Sequence, residues 1–256
     1  MLNFDKIGRP VCIIKGGSMD GKMIHLNADP DNTLNVKYID EFRLPDGDTG
    51  KLETAVDTTS ERNIVYITGP SGSGKTYFSA QYIKKYQKKF PSRLIILFSA
   101  IEHDESLDQL GVKRIKLNKS LVEDPIKPKD LQDTLCIFDD VDSIQNKPIR
   151  SAVMSLLNSV LQEGRHFQTS ALLTYHAPTD RMNTRLMLCE SHIVVSFLNS
   201  GSAHSLKYLF NTYLGIDDVM LKKLKKEKTR ACVVFKNYPA CVMTDKMIRL
   251  LNKDDE

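Results

Sequence analysis

The sequence predicts an α/β protein, a mostly parallel sheet with helices on both faces, carrying a small β-rich appendage at its N-terminus. Two observations support this. From residue 62 onward, short runs that are apolar at nearly every position alternate with stretches of helical period, as strands covered on both faces require. Before residue 61, helical periodicity is missing and turn residues recur.

In the first segment, Pro10-Val11-Cys12-Ile13-Ile14-Lys15 and Lys22-Met23-Ile24-His25-Leu26 read as strands, with the turn Gly16-Gly17-Ser18-Met19-Asp20-Gly21 between them. Asp29-Pro30-Asp31-Asn32 and Pro45-Asp46-Gly47-Asp48 are further turns. Residues 1–60 are too few for a core of their own, so they are expected to pack as an appendage on a main domain of residues 61–256. There, Ile64-Val65-Tyr66-Ile67-Thr68 reads as a buried strand, followed by a glycine loop and a helix to about Lys89, closed by Pro91. Leu94-Ile95-Ile96-Leu97-Phe98 and Leu135-Cys136-Ile137-Phe138 are central strands, and Arg114-Ile115-Lys116-Leu117 a peripheral one. A helix capped by Asn146, with Pro148 in its first turn, carries Ile149, Ala152, Val153, Leu156, Leu157, Val160 and Leu161 on one stripe. Gly164 is expected to end it in a left-handed conformation. Strands at 171–174 and 193–197, helices over about 203–227, and strands at 231–235 and 240–243 complete the pattern.

Composition narrows the function classes. Apolar residues make up 41% of the 256, ordinary for a globular core, and no apolar run approaches the roughly 20 residues needed to cross a bilayer. The first residues lack the basic and apolar regions of a signal peptide. The five cysteines, Cys12, Cys136, Cys189, Cys232 and Cys241, form no CxxC pair, and four lie in apolar runs; buried free thiols are expected. A net charge of +4 does not by itself call for a nucleic acid.

Gly69-Pro70-Ser71-Gly72-Ser73-Gly74-Lys75-Thr76 lies between the strand ending at Thr68 and a helix. A polyphosphate needs many donors in a small space. A tightly curled, glycine-rich backbone supplies them, and the helix N-terminus adds its dipole. This is the P-loop pattern, so ATP and Mg²⁺ are the expected cofactors. Lys75 is expected to reach the β- and γ-phosphate oxygens and Thr76 to ligate Mg²⁺, with Tyr77, the next helical residue, included among the nucleotide-binding positions. Downstream, the strand 135–138 runs into Asp139-Asp140, the Walker B pattern. Asp139 is expected to hold Mg²⁺ and Asp140 to orient the attacking water. The alternative for this pair is a solvated strand-to-helix cap; Asp142 competes with Asp140 for the water-orienting role but reads rather as a turn residue. The strand at 94–98, between the two motifs in sequence, points to the RecA-like branch of P-loop NTPases that places a strand between the P-loop strand and the Walker B strand.

Gly164-Arg165-His166-Phe167-Gln168-Thr169-Ser170, taken with Gly-Ser-Gly-Lys-Thr and Ile-Phe-Asp-Asp-Val, resembles the genome-packaging ATPases of large double-stranded DNA viruses. The poxvirus type, within the FtsK/HerA superfamily of DNA pumps, is the nearest likeness, over roughly residues 62–200. The resemblance implies a homo-oligomeric ring, hexameric or pentameric, that threads double-stranded DNA with ATP. A capsid or portal component is a further partner it allows. It implies residence in the virion or at assembly sites in host cytoplasm, soluble and not inserted in a membrane. It also implies an arginine before the fourth core strand that reaches a neighbouring subunit's nucleotide, and Arg165 holds that position; the alternative is an Arg165 that caps the preceding helix. His176 falls nearest the family's polar sensor, usually Gln, or else is an ordinary surface histidine. Basic residues at 84, 85, 88 and 89, at 222, 223, 225, 226, 228 and 230, and Arg181 and Arg185 are candidate DNA contacts or solvated faces. A helicase-type remodelling ATPase and a non-catalytic, nucleotide-dependent assembly scaffold are the competing functions. A small-molecule kinase is weaker, because no acceptor-binding signature is present.

Overall fold

The computed structural model describes residues 1–32, 35–180, 184–227 and 229–251. The chain opens with the short strands β1 (Leu2–Asn3), β2 (Arg9–Lys15), β3 (Met23–Leu26), β4 (Glu41–Arg43) and β5 (Lys51–Thr54). Next come β6 (Ile64–Thr68), α1 (Lys75–Lys89), β7 (Leu94–Ser99), α2 (Glu105–Asp108), β8 (Lys113–Ile115) and α3 (Ser120–Glu123). They are followed by β9 (Thr134–Asp139), α4 (Lys147–Glu163), β10 (Ser170–Tyr175) and α5 (Arg185–Glu190). Last are β11 (Ile193–Ser196), α6 (Ala203–Tyr213), α7 (Asp218–Lys226), β12 (Cys232–Phe235), β13 (Cys241–Met243) and β14 (Met247–Leu250). These elements form two compact units, one of Glu61–Ser191 and one of Met1–Ser60 with His192 onward.

In the unit Glu61–Ser191, five parallel strands run in the order β6, β10, β9, β7, β8. Strands β6, β9 and β10 are buried at every position, which is why their sequences do not alternate. The strand lying between the P-loop strand β6 and the acidic strand β9 is β10, the last of the five in sequence. Helix α4 starts where expected: the Asn146 side chain accepts from the Ile149 N–H at 3.2 Å, and Pro148 follows. Its buried stripe is Ile149, Val153, Leu156, Leu157, Val160 and Leu161. Its end differs from expectation. Gly164 stays right-handed (φ −58°), the chain tightens into a 3₁₀ turn over Gly164–Phe167, and Gln168 (φ 53°) takes the left-handed position. Gly164 is small for a packing reason, since a Cβ there would meet the Arg62 guanidinium and Thr169 at 3.3 Å.

The other unit is antiparallel throughout. One array runs β1, β3, β2, β5 and another β11, β12, β13, β14, β4. This differs from the expectation of one domain over residues 61–256. The reason is pairing between sequence ends: β4 joins β14, the Leu52 N–H donates to Asp245, and Lys246 Nζ donates to the Asp48 and Gly50 carbonyls. Arg9 likewise donates to the Asn237 and Pro239 carbonyls. Cys12, Cys136, Cys232 and Cys241 are buried and in no disulfide, while Cys189 is exposed. Burial pushes the Cys232 and Cys241 thiols up to about 12, where they are unreactive. No described helix is long and apolar enough to cross a membrane.

Candidate functional site

Parallel strands bring their C-terminal ends to one edge of a sheet, where ligands of open α/β folds bind. Here that edge carries Thr68, Ser99, Asp139 and Thr174. The loop after β6 is tied to β10 by the Gly69 N–H, which donates to the Tyr175 carbonyl at 3.1 Å. It turns through Ser73 N–H to Pro70 O at 3.2 Å, with Gly72 at φ 74° and Gly74 at φ 116°, then enters α1 at Lys75. At Gly72 a Cβ would meet open space, so glycine is required there by backbone conformation and not by crowding.

Lys75 is buried, and its Nζ donates to the Gly69 carbonyl at 2.9 Å. The same Nζ lies 3.7 Å from Asp140 Oδ1, so the first and second motifs meet through one charge pair. Ser73 Oγ is buried with no hydrogen-bond partner among the described residues. A buried hydroxyl without a partner is unfavourable, and a phosphate oxygen in the loop would satisfy it. Thr76 is half-buried and Tyr77 exposed in the first turn of α1.

Asp139, at the end of β9, is buried between two hydroxyls. Thr174 Oγ1 lies 2.8 Å from its Oδ1, and Ser99 Oγ donates to its Oδ2 at 3.1 Å. Burial pushes its pKa up, the Thr174 hydrogen bond opposes this, and the neighbouring Asp140 charge adds to the rise. A bound cation would relieve the same strain by favouring the carboxylate. The donor set of Asp139 carboxylate and Thr76 hydroxyl suits a hard, oxygen-seeking ion such as Mg²⁺. Asp140 follows in a left-handed conformation (φ 44°, ψ 45°). Its N–H donates to Thr174 Oγ1 at 2.9 Å, and its Oδ2 faces His176 Nε2 at 3.4 Å. Thr174 Oγ1 is also 3.2 Å from Asp140 Oδ1, so its single proton is shared between the two aspartates.

Lys75, Asp139, Asp140 and His176 therefore come together. Two residues that the sequence does not single out, and Asp142, join them. Thr174 and Ser99 are polar ends of apolar strands, a signal readable only when the strands are known to be parallel neighbours. Asp142, expected to be a turn residue, places its Oδ2 3.5 Å from His176 Nδ1.

Arg165 is not in this cluster. It is exposed, and its Nε donates to Glu61 at 3.1 Å. It precedes β10, whose six residues span roughly 17 Å to the edge that bears Lys75. The helix-capping role considered for Arg165 belongs to Arg62. The buried Arg62 guanidinium donates to the Val160 and Leu161 carbonyls at 3.0 Å, in the last turn of α4. Among the basic candidates, Lys84, Lys88, Lys89, Lys222, Lys223, Lys226, Arg185 and Arg230 are exposed, and Lys85 and Lys225 are half-buried. Arg181 and Lys228 lie outside the described residues.

The chain is 33% identical over 240 residues to the uncharacterized protein V3 of Sputnik virophage, covering 93% of this chain and 94% of that one. No family model matches. Among solved structures, the cytoplasmic domain of the type VII secretion ATPase EccC of Thermomonospora curvata matches with a TM-score of 0.52 at 13% identity. That match covers 81% of this chain and 28% of EccC. The DNA-packaging ATPase B204 of Sulfolobus turreted icosahedral virus matches with a TM-score of 0.46 at 16% identity, covering 76% of this chain and 98% of B204. The EccC likeness shows the fold: this is an α/β chain of the P-loop NTPase type.

Proposed function

Because the chain belongs to the family of the Sputnik virophage protein V3 and has a P-loop NTPase fold, we propose that it is an ATP-driven motor that moves double-stranded DNA into a viral capsid. The observation that carries this reading is the meeting of Lys75 with Asp140 across two motifs 65 residues apart, beside a buried Asp139 and a partnerless Ser73 hydroxyl. The motif combination around Arg165 and the viral relative support the packaging role; the P-loop and acidic edge support hydrolysis.

The backbone N–H groups of Ser71, Gly72, Gly74, Lys75 and Thr76 bind the phosphates, and the Ser73 hydroxyl adds a donor. Lys75 turns from the Gly69 carbonyl to the β- and γ-phosphate oxygens, a short move for a group already buried at the loop. Asp140, held by the Thr174 hydroxyl, orients the attacking water. Thr76 and Asp139 would hold Mg²⁺, which supplies positive charge against the phosphates when bound. Tyr77, exposed beside the loop, contributes to the nucleotide-binding surface. Arg165 cannot reach the site of its own chain across the length of β10. It acts on a neighbour's γ-phosphate, neutralising charge as the transition state forms. This requires a ring of identical subunits, hexameric or pentameric, around duplex DNA, with exposed lysines tracking the phosphates and a capsid or portal component docking the ring. Its place is the virion or the host-cell cytoplasm where virions assemble.

The test is ATP turnover with and without duplex DNA, alongside the mass of the particle. Stimulation by duplex DNA together with a ring-sized mass is expected. Strand separation without motion along intact duplex would favour a helicase, and binding without turnover in the assembled, DNA-bound state would make the protein a scaffold.

A further inference from the structure

We propose that Asp140, Asp142 and His176 form a binding site for a borderline divalent transition-metal ion, with zinc the expected occupant, distinct from the Mg²⁺ position assigned to Thr76 and Asp139. One ligand atom from each of the three residues lies within 4.8 Å of the other two. The 3.4 Å between His176 Nε2 and Asp140 Oδ2 is the ligand-to-ligand edge of a tetrahedral site, which bonds of about 2.0–2.1 Å make roughly 3.4 Å long. Asp142 Oδ2, on the second carboxylate, stands 3.5 Å from the other ring nitrogen, so a side-chain rotation has to bring this third ligand round to the Nε2 side.

A second observation points to a bound cation. Asp142 Oδ1 is closed off from solvent and has no hydrogen-bond partner among the described residues. An acceptor buried without a donor is costly, and a cation ligated by Oδ1, alone or together with Oδ2, removes that cost. The supports are rigid. The Asp140 N–H is held by Thr174, its carbonyl accepts from the Ser143 N–H at 2.9 Å, and His176 directly follows β10. The His176 side chain is 40% exposed, against 17% and 19% for the carboxylates, which leaves an entry path and room for water as a fourth ligand.

Ligand type selects the ion. Mg²⁺ takes oxygen ligands and keeps most of its water, whereas an imidazole nitrogen with two carboxylates suits zinc and its neighbours. The competing arrangement is a doubly protonated imidazole bridging the two carboxylates, one through each nitrogen. A metal can use only one of those nitrogens, so the two arrangements are separable. One consequence rests on the proposed hydrolytic role of Asp140. Zinc on its Oδ2 would withdraw it from the attacking water, slowing turnover without displacing the nucleotide.

The experiment uses the full chain, free of nucleotide, in millimolar Mg²⁺. Zinc binding is followed by calorimetry and cobalt binding by visible absorption, whose intensity reports low coordination number. One saturable site that persists in Mg²⁺ is expected. His176→Ala and Asp142→Asn should each weaken it about tenfold or more, while Thr76→Ala and the exposed control His204→Ala keep it. If His176→Ala fails to fold, His176→Gln replaces it. No cobalt bands, displacement by Mg²⁺, or binding indifferent to both His176 and Asp142 would overturn the site. Binding lost equally in Thr76→Ala would overturn its separateness. A cobalt signature that stands in a protein with no ATP turnover would uphold the site, while the proposed motor function alone would fall.

Discussion

In the unit Glu61–Ser191 all five strands run parallel, so their C-terminal ends share one edge; in the unit of Met1–Ser60 and His192 onward the strands alternate, and their ends divide between two edges. The difference decides where chemistry can be assembled. Parallel strands deliver Thr68, Ser99, Asp139 and Thr174 to one line, where the Ser99 and Thr174 hydroxyls both reach the Asp139 carboxylate. In the antiparallel unit, the neighbouring strands β12, β13 and β14 finish in Phe235, Met243 and Leu250. Their cations serve the backbone: Arg9 and Lys246 each hold two loop carbonyls from distant sequence. One unit concentrates charge at a single edge, and the other uses charge to fasten its own loops.

The most direct way to break this comparison is to remove one lysine from each unit. Lys75→Ala is expected to abolish ATP turnover and weaken ATP binding while the fold persists, because the charge that would clamp the β- and γ-phosphates, and that here pairs with Asp140, is lost. Lys246→Ala is expected to lower stability by about 1.5–3 kcal/mol, the worth of hydrogen bonds from a charged group, with turnover per folded molecule unchanged. Activity assays paired with thermal melts decide it. A Lys246→Ala protein that is folded but inactive would show that the antiparallel unit takes part in the chemistry.

A second contrast lies within the parallel unit, between Arg62 and Arg165. Arg62 is buried on the carbonyls of α4, and Arg165 is exposed at the far end of β10. Arg165→Ala is expected to keep ATP binding and assembly while turnover falls by about 10³–10⁵, the range for arginine fingers. Mixing it with Lys75→Ala should restore part of the activity, since Lys75→Ala subunits still offer Arg165 to intact loops. Turnover within a few-fold of the parent in an assembled Arg165→Ala particle would leave Arg165 as a surface partner of Glu61 and nothing more.

The two motifs were legible because each is local in sequence: a glycine loop between strand and helix, and an apolar strand ending in two aspartates. Helix α4 was legible for the same reason, down to its Asn146 cap. What escaped reading depends on which strands are neighbours. Thr174 sits between the two motifs only because β10 lies between β6 and β9. The Arg62 cap needs residues about a hundred positions apart, and β4 pairs with β14 across some two hundred. Both β4 and β14 are too short for a period of two to be recognisable. Gly164 misled because a glycine at a helix end signals a left-handed stop, whereas here its small size makes room for Arg62.

Thr174 sharpens the claim that the parallel edge works as one network. Its hydroxyl accepts from the Asp140 N–H and shares its proton between two carboxylates. Thr174→Val keeps the shape and removes both functions. A cost of about 1–3 kcal/mol is expected, read as lower thermal stability and as reduced turnover with the Mg²⁺ requirement shifted upward. Thr174→Ser should recover both. Parental behaviour of the valine variant would mean that the two aspartates are positioned without β10.

The smallest expected effect tests the other side of the comparison, that charge in the antiparallel unit is structural. Arg43 grips Glu227 through two hydrogen bonds, Nη1 to Oε2 at 2.8 Å and Nη2 to Oε1 at 2.9 Å. That contact holds the Glu227 carboxyl below its ordinary pKa, chiefly through the side-chain hydrogen bond and then through the Arg43 charge. A carboxyl depressed in the folded state binds its proton more readily when unfolded, so the stabilisation is complete above the unfolded value. It is lost as pH falls through the folded one. Arg43 is nearly half exposed, so solvent screening limits the pair to about 0.2–1 kcal/mol. Glu227→Gln is therefore expected to lower the melting temperature by about 1–3 °C at pH 7. The gap from the parent should close as pH drops below the ordinary glutamate range, and should shrink in high salt. Turnover per folded molecule should match the parent at every pH where both are folded. A gap that persists in acid would show that packing and not charge holds this contact, and a change in turnover would carry the chemistry beyond the parallel edge.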